Sequence, residues 1–502
     1  MNSYDFFAKR FLSQPSKLFL GSHSGERYTY ADVERETARY ANFLTRLGLQ
    51  RGDRVAAQVE KSPQAIFIYL ACLRAGLCYL PLNSAYQQSE IGYFLNDARP
   101  GVAICSPASQ GLFARLCGEA RVLHLFTLDD SGLGSFTEAS VNAGPQFATV
   151  ISESDDLAVI IYTSGTTGRS KGAMVTHGNL ASNAQVLCDA WQITAQDVLI
   201  HALPIFHIHG LFVALNTILL SGGTLLFHRE FDPKAVIRDL SRATLLMGVP
   251  TFYTRLLAEP TFTHETCNSI RLFVSGSAPL LLDTFNEFRG RTGHTILERY
   301  GMSEAGMICS NPLNGERRGG TVGMPLPGVK LRIAGDGGEP APRGDRGVIE
   351  IKGPNVFSGY WRMPDKTKEE FTDDGFFKTG DIGVVDRDGY VAIVGRAKDL
   401  IISGGFNVYP KEIELVIDAL GGVAESAVIG LPHPDFGEAV TAVIVRSHEG
   451  LMLDQGEVIA HVRSQLANFK VPKQVYFVDA LPRNTMGKVQ KNLLRDQFAI
   501  KK

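Results

Sequence analysis

Apolar residues recur at helical spacing from Ala31 to Leu47, at Val33, Tyr40, Leu44 and Leu47, and the run stops at Gly48, a residue suited to closing a helix. The next run, Asp53 to Val59, is short and apolar in the manner of a strand, and Ser62-Pro63 then opens a second helix that reaches Ala75. Leu157 to Tyr162 is almost entirely apolar, as a strand covered on both faces must be. Val198 to Leu203, Thr224 to Phe227, Thr244 to Gly248 and Leu272 to Val274 repeat that texture, with helical segments at Pro233 to Leu240 and Pro250 to Leu257. Regular alternation of strand and helix predicts an α/β fold of doubly wound sheets.

The pattern changes after about Val329. Gly335 to Gly347 is rich in Gly, Pro, Asp and Arg, and short strand-like runs follow at Gly347 to Lys352, Gly375 to Thr379 and Tyr390 to Val394. These predict a small β subdomain over residues 329–396. Beyond it, helical runs at Pro410 to Leu420 and Gln455 to Leu466 alternate with strands at Ala424 to Gly430, Ala439 to Arg446 and Gln474 to Phe477. The reading is a large N-terminal domain, residues 1–396, followed by a smaller α+β domain, residues 397–502.

Composition narrows the function classes. A formal net charge of -2 argues against a nucleic-acid partner, which calls for a basic footprint. Met1 to Leu20 lacks an apolar leader, and no run approaches the ~20 apolar residues of a membrane span, so a cytoplasmic protein without a membrane partner is expected. Gly210 to Leu220 reads instead as a buried helix. The seven cysteines form no Cys-x-x-Cys pair and suit reduced thiols.

The chemistry is concentrated in Tyr162-Thr163-Ser164-Gly165-Thr166-Thr167-Gly168-Arg169-Ser170-Lys171-Gly172, which follows a buried strand and precedes a helical run from about His177. Glycines expose successive backbone N–H groups, and hydroxyls with a lysine complete a cradle for phosphate oxygens. The spacing is not the G-x-x-x-x-G-K-[ST] of P-loop nucleotidases.

This loop resembles the signature of the adenylate-forming superfamily of acyl-CoA synthetases, luciferases and peptide-synthetase adenylation domains. Five further stretches resemble its other signatures, in the same order: Phe206-His207-Ile208-His209-Gly210, Tyr300-Gly301-Met302-Ser303-Glu304, Thr379-Gly380-Asp381, Gly395-Arg396-Ala397-Lys398-Asp399 and Asn484-Thr485-Met486-Gly487-Lys488. The resemblance implies ATP, Mg²⁺ and coenzyme A as partners, and a mobile C-terminal domain turning about Lys398. It gives Lys488 the charge that builds on the α-phosphate, Glu304 and Thr167 the metal, and His207 a place at the acyl gate. Thr163, Ser164, Gly165, Thr166, Thr167, Gly168, Lys171 and Ser303 fall to the phosphates. Gly276, Ser277, Ala278, Glu298, Arg299 and Tyr300 fall to the base, and Asp381 and Arg396 to the ribose. Ser403, Gly404 and Gly405 would serve the coenzyme A step. Lys488 is also a candidate for regulatory acylation, and the resemblance is compatible with a monomer or a homodimer.

Within the superfamily the chain is most similar to malonyl-CoA synthetases, through Arg169-Ser170-Lys171-Gly172-Ala173-Met174, Met247 to Arg255, Ser275 to Leu280 and Pro482 to Lys491. Malonate keeps one carboxylate after activation, and that charge needs a partner if it is buried. Arg255, with Ser277, is the expected partner, and the alternative is that Arg255 reaches solvent from an amphipathic helix. Ile208 and Met307 are expected to limit room beside the acid, which favours malonate over methylmalonate. Another small carboxylic acid, and a non-catalytic nucleotide-binding protein on the same fold, are the competing readings.

Overall fold

The helix Pro63–Arg74 begins where its sequence dictates. The Ser62 hydroxyl accepts the Ala65 N–H, and Pro63 occupies the first turn, where its missing N–H leaves nothing unpaired. Thr29 starts the helix Tyr30–Arg46 through a reciprocal cap with Asp32. The computed structural model describes residues 1–22, 25–163, 170–335, 337–403, 406–433, 437–447, 452–466, 468–484 and 487–499. Packing groups the chain into two units, Met1–Lys330 with Ile351–Phe377, and Leu331–Glu350 with Lys378–Lys502. The small sheet, expected within the first domain, falls mainly in the second unit in this grouping.

Two sheets build the first unit. One has the order His124–Thr127, Val102–Cys105, Arg54–Gln58, Cys78–Pro81, Leu157–Thr163, Lys171–Thr176. Its members are parallel except the last, which runs antiparallel to Leu157–Thr163. The other has nine strands, six of them parallel: Leu297–Met302, Leu272–Ser275, Leu245–Gly248, Val198–His201, Thr224–Phe227 and Leu18–Ser22. Leu245–Gly248 and Leu272–Ser275 are buried at every residue, which explains their uninterrupted apolar runs. The main core draws Val55 and Val102 from the first sheet, Leu199, Leu245 and Leu272 from the second, and Ile66, Phe67 and Leu70 from the helix Pro63–Arg74. Separate clusters around Phe94 and Phe113, and around Tyr253 and Phe288, cover other faces. Gly210 to Leu220 is a buried helix, as expected, with π geometry over His209–Leu215 before it becomes regular at Asn216–Ser221.

The second unit contains most of a four-stranded sheet ordered Lys330–Ala334, Gly347–Lys352, Phe377–Val385, Val391–Arg396. It also holds a mixed sheet in which Gly437–Arg446 pairs antiparallel with Val423–His433 and parallel with Gln474–Val478. Ile413, Ile417, Val458 and Val462 belong to one apolar cluster of that sheet, and Leu494 and Phe498 to another. The helix Lys491–Ala499 that supplies the last two was not foreseen from the pattern. Among the described residues, no helix is long and apolar enough to cross a membrane. All seven cysteines are free and buried. Burial pushes the Cys78 thiol up to about 12 and the Cys117 thiol up to about 11, so neither is poised as a thiolate.

Candidate functional site

Lys171 does not lead straight into a helix. It opens the strand Lys171–Thr176, whose backbone runs back along Leu157–Thr163 with Thr163 opposite Lys171. Only then does the helix His177–Trp191 begin, at Thr176 with Asn179 completing the cap. The six residues are too few for their alternation to stand out in the sequence. Thr163 and Lys171 therefore face each other at the two ends of the segment expected to hold phosphate, while Ser164, Gly165, Thr166, Thr167 and Gly168 lie outside the described residues.

Glu304 is brought to this pair by a tight turn. The strand Leu297–Met302 reverses through Ser303, Glu304 and Ala305 into Gly306–Ser310. Gly306 adopts φ +53, and a Cβ there would come within 2.6 Å of Asn183 Oδ1. The Glu304 carboxylate is buried, and its Oε1 accepts from Tyr360 Oη at 3.2 Å and from Thr163 Oγ1 at 3.5 Å. Lys171 Nζ stands 4.3 Å from the centroid of the Tyr360 ring and 3.4 Å from Glu370 Oε1. Ser303, half-buried, shares the turn. A hydroxyl, a carboxylate and an ammonium thus converge from three distant segments. Among the described residues, no group of three or more His, Cys, Asp or Glu side chains could hold a metal. One carboxylate with hydroxyl oxygens is instead the donor set that suits Mg²⁺ arriving with phosphate oxygens and water.

The second part of the site lies at the carboxyl ends of the adjacent parallel strands, where open α/β sheets bind ligands. The strand Leu272–Ser275 runs into Gly276, Ser277 and Ala278, and Ser277 holds φ +71, a left-handed conformation that costs a non-glycine residue energy. Ser277 Oγ is 3.3 Å from His209 Nδ1. Arg299, on the strand Leu297–Met302, crosses directly over Gly276, where a Cβ would meet its Cζ at 2.5 Å. The Arg299 side chain is 3% exposed, and its Nε and Nη2 have no hydrogen-bond partner among the described residues. His209 Nε2 and Ser275 Oγ are likewise buried and unpartnered. Burial drives the Arg299 guanidinium down to about 9, and drives His209 well below its ordinary value, with Arg299, His207 and His201 adding repulsion. Among the described residues, buried polar atoms without partners are thus gathered at the ends of these strands, with the Arg299 guanidinium as their one formal cation.

The remaining expected residues fall around it. Glu298 is buried and accepts the Gly320 N–H at 3.2 Å, and burial pushes its carboxyl up to about 8. Tyr300 and His207 are half-buried, and His207 Nδ1 accepts the His209 N–H at 3.3 Å. Ile208 and Met307 are buried members of the main core. Arg255 departs from the first of its two expectations. It sits in the helix Pro250–Leu257 and is exposed, while Tyr253, Leu256 and Leu257 of that helix are buried. The apolar run before Arg255 packs inward, and the helix turn carries the guanidinium outward. The burial and unpartnered nitrogens of Arg299 and His209 were not foreseen from the sequence. The available signal was the charged pair Glu298-Arg299 placed directly after Leu297 at the buried end of a strand.

In the second unit, Asp381 is buried opposite Arg396 in the antiparallel pair, and Arg396 Nε meets its Oδ1 at 2.7 Å. Thr379 Oγ1 accepts the Asp381 N–H at 3.1 Å. Lys398 is exposed, and Ser403 is buried beside Gly404 and Gly405, which lie outside the described residues. Lys488 is half-buried after a turn closed by Asn484, whose Oδ1 accepts the Lys488 N–H at 3.0 Å and whose own N–H donates to the Lys488 carbonyl at 2.9 Å.

Thr163 facing Lys171, a buried acid beside them and two doubly wound sheets define an adenylate-forming enzyme, and the chain belongs to the AMP-binding enzyme family. That family matches residues 7–361, and its C-terminal domain matches residues 412–488. The structure is similar to ATP-bound MatB from Rhodopseudomonas palustris, with a TM-score of 0.97 and 55% identity over 100% of this chain and 99% of that one. The sequence is 37% identical to a feruloyl-CoA synthase from Amycolatopsis sp over 480 residues, 95% of each chain. It is 34% identical to a malonate–CoA ligase from Arabidopsis thaliana over 517 residues, 96% of this chain and 82% of the relative. The chain is accordingly an acyl-CoA ligase of the AMP-forming kind, for which ATP and coenzyme A are the implied co-substrates.

Proposed function

We propose that this enzyme joins malonate to coenzyme A through malonyl-adenylate, releasing pyrophosphate and AMP. The observation that carries the reading is the Arg299 guanidinium, buried over Gly276 with two nitrogens unpartnered beside Ser277 and His209. A buried cation without a partner is costly, and a ligand carboxylate can satisfy two of its donors at once. An acid that retains a second carboxylate close to the reacting one answers that need. A fatty acid would leave the guanidinium unpaired.

In the first half-reaction one carboxylate oxygen of the acid attacks the α-phosphorus of ATP, and the bond to pyrophosphate breaks. Charge accumulates on the α-phosphate and the leaving group, where preorganised cations and N–H donors act. Lys488 takes the α-phosphate charge, and Lys171 the leaving group. Mg²⁺, when bound, supplies further neutralisation at the phosphates, and Glu304 is the residue suited to hold it. Asp381 accepts the ribose hydroxyls, with Arg396 fixing its carboxylate. In the second half-reaction the thiolate of coenzyme A attacks the acyl carbonyl and AMP departs. Residues 1–396 and 397–502 serve as the catalytic bodies, with Lys398 at their joint and Ser403, Gly404 and Gly405 assigned to the thiol step.

The similarity to a feruloyl-CoA synthase favours a second reading, an aromatic acid. Such an acid brings no second carboxylate to Arg299. CoA-dependent AMP formation across malonate, methylmalonate, acetate, succinate and benzoate separates the two. Malonate is expected to give the highest kcat/KM, and a higher value for acetate or benzoate would overturn the proposal.

A further inference from the structure

Tyr360 lies 56 residues from Glu304 and far from Lys171 in the chain, yet it touches both. Its hydroxyl donates to Glu304 Oε1 at 3.2 Å, and its ring face carries the Lys171 ammonium 4.3 Å from the centroid. The tyrosine is 3% exposed and is held on all sides. Its N–H donates to Thr367 Oγ1 at 2.8 Å, and its ring meets that of Phe357 edge-on at 4.8 Å. The flanking backbone is stitched to the strand after the phosphate loop, through Ser358 N–H to the Met174 carbonyl at 3.0 Å and Trp361 N–H to the Gly172 carbonyl at 2.8 Å.

We infer that Tyr360 is a positioning residue that keeps Glu304 and Lys171 apart and aimed, so that each meets the nucleotide instead of the other. The inference rests on the adenylate-forming reading above. Glu304 and Lys171 both touch Tyr360, Lys171 with Glu370 also at 3.4 Å, and in a partly desolvated site opposite charges attract strongly. An ion pair between them would cancel the charges that a metal–phosphate complex needs. The aromatic ring prevents this while satisfying both partners: its face is electron-rich toward the ammonium, and its hydroxyl is a donor toward the carboxylate. Neither a leucine nor a phenylalanine does both.

The test uses the full-length enzyme with Tyr360→Phe, which removes only the hydroxyl, and Tyr360→Leu, which removes the ring as well. Equilibrium ATP binding is measured calorimetrically with Mg²⁺ and with a chelator. Adenylation is followed by pyrophosphate exchange during a Mg²⁺ titration. Thioester formation from preformed adenylate is the internal control. Loss of a hydrogen bond to a charged group predicts a rise of roughly 10-fold or more in the Mg²⁺ needed for half-maximal exchange by Tyr360→Phe. Its ATP binding in chelator and its thioester step should match the parent. Tyr360→Leu should in addition raise the KM for pyrophosphate, as Lys171 loses the ring that holds it and is left to Glu370 or Glu304. An unchanged Mg²⁺ requirement in Tyr360→Phe overturns the inference, as does an equal loss in both half-reactions. Glu304→Gln is run alongside: if it too keeps the parent's Mg²⁺ requirement, the assignment of Glu304 itself fails and the inference falls with it.

Discussion

Replacing Arg299 by leucine separates substrate recognition from folding. In the free enzyme the guanidinium is 3% exposed and has two unpartnered nitrogens, so it weakens the fold. Leucine removes that uncompensated charge and fills much of its volume, and the melting temperature is expected to stay level or rise. With malonate bound the balance reverses. Breaking a buried, bidentate charge pair costs about 3–5 kcal/mol, which at about 1.36 kcal/mol per decade is roughly 10²–10⁴ in kcat/KM. The loss is specific to the second carboxylate, so the ratio of malonate to acetate use should fall by a similar factor while ATP affinity holds. AMP release measured against both acids, with ATP binding by calorimetry, gives all three quantities. A malonate kcat/KM within threefold of the parent would refute the carboxylate role of Arg299.

Three further outcomes are expected. Arg255→Leu alters an exposed helix position and should change malonate kcat/KM by less than about threefold in the same assay, in contrast to Arg299→Leu. Lys488→Ala should reduce pyrophosphate exchange by roughly 10²-fold while sparing thioester formation from preformed adenylate, as loss of one preorganised charge-stabilising group requires. Glu298, with its carboxyl pushed up to about 8 in the folded protein, holds its proton at pH values where the unfolded chain has lost it. Its contribution is therefore complete below about pH 4.5 and disappears as pH rises through about 8, a slope on the order of a few kcal/mol overall. Glu298→Gln, which stays neutral, should flatten that slope in denaturant melts taken from pH 5 to pH 8.5, and an unchanged slope would contradict the burial argument.

The parallel strands of the first unit were legible because burial on both faces leaves nothing but apolar residues. Thr224–Phe227 and Pro250–Leu257 fall where the pattern put them. Lys171–Thr176 was hidden because it is brief and begins in a loop whose glycines and hydroxyls dominate the reading. The helix Lys491–Ala499 escaped because Leu494 and Phe498 are its only buried residues. Motifs marked Glu304, Asp381 and Lys488 as candidates, since local spacing is what a motif records. They could not identify the desolvated arginine. That Arg299 turns inward over Gly276 while Arg255 turns out depends on which sides of a strand and a helix are covered, and coverage is a tertiary property. Tyr360 was invisible for the same reason, because its partners stand 189 and 56 residues away in the chain.

The most direct test is exchange of labelled pyrophosphate into ATP, with Mg²⁺ present and coenzyme A absent. Exchange that depends on malonate is the predicted result. Failure to exchange with malonate or any other small carboxylic acid would contradict the account at its centre.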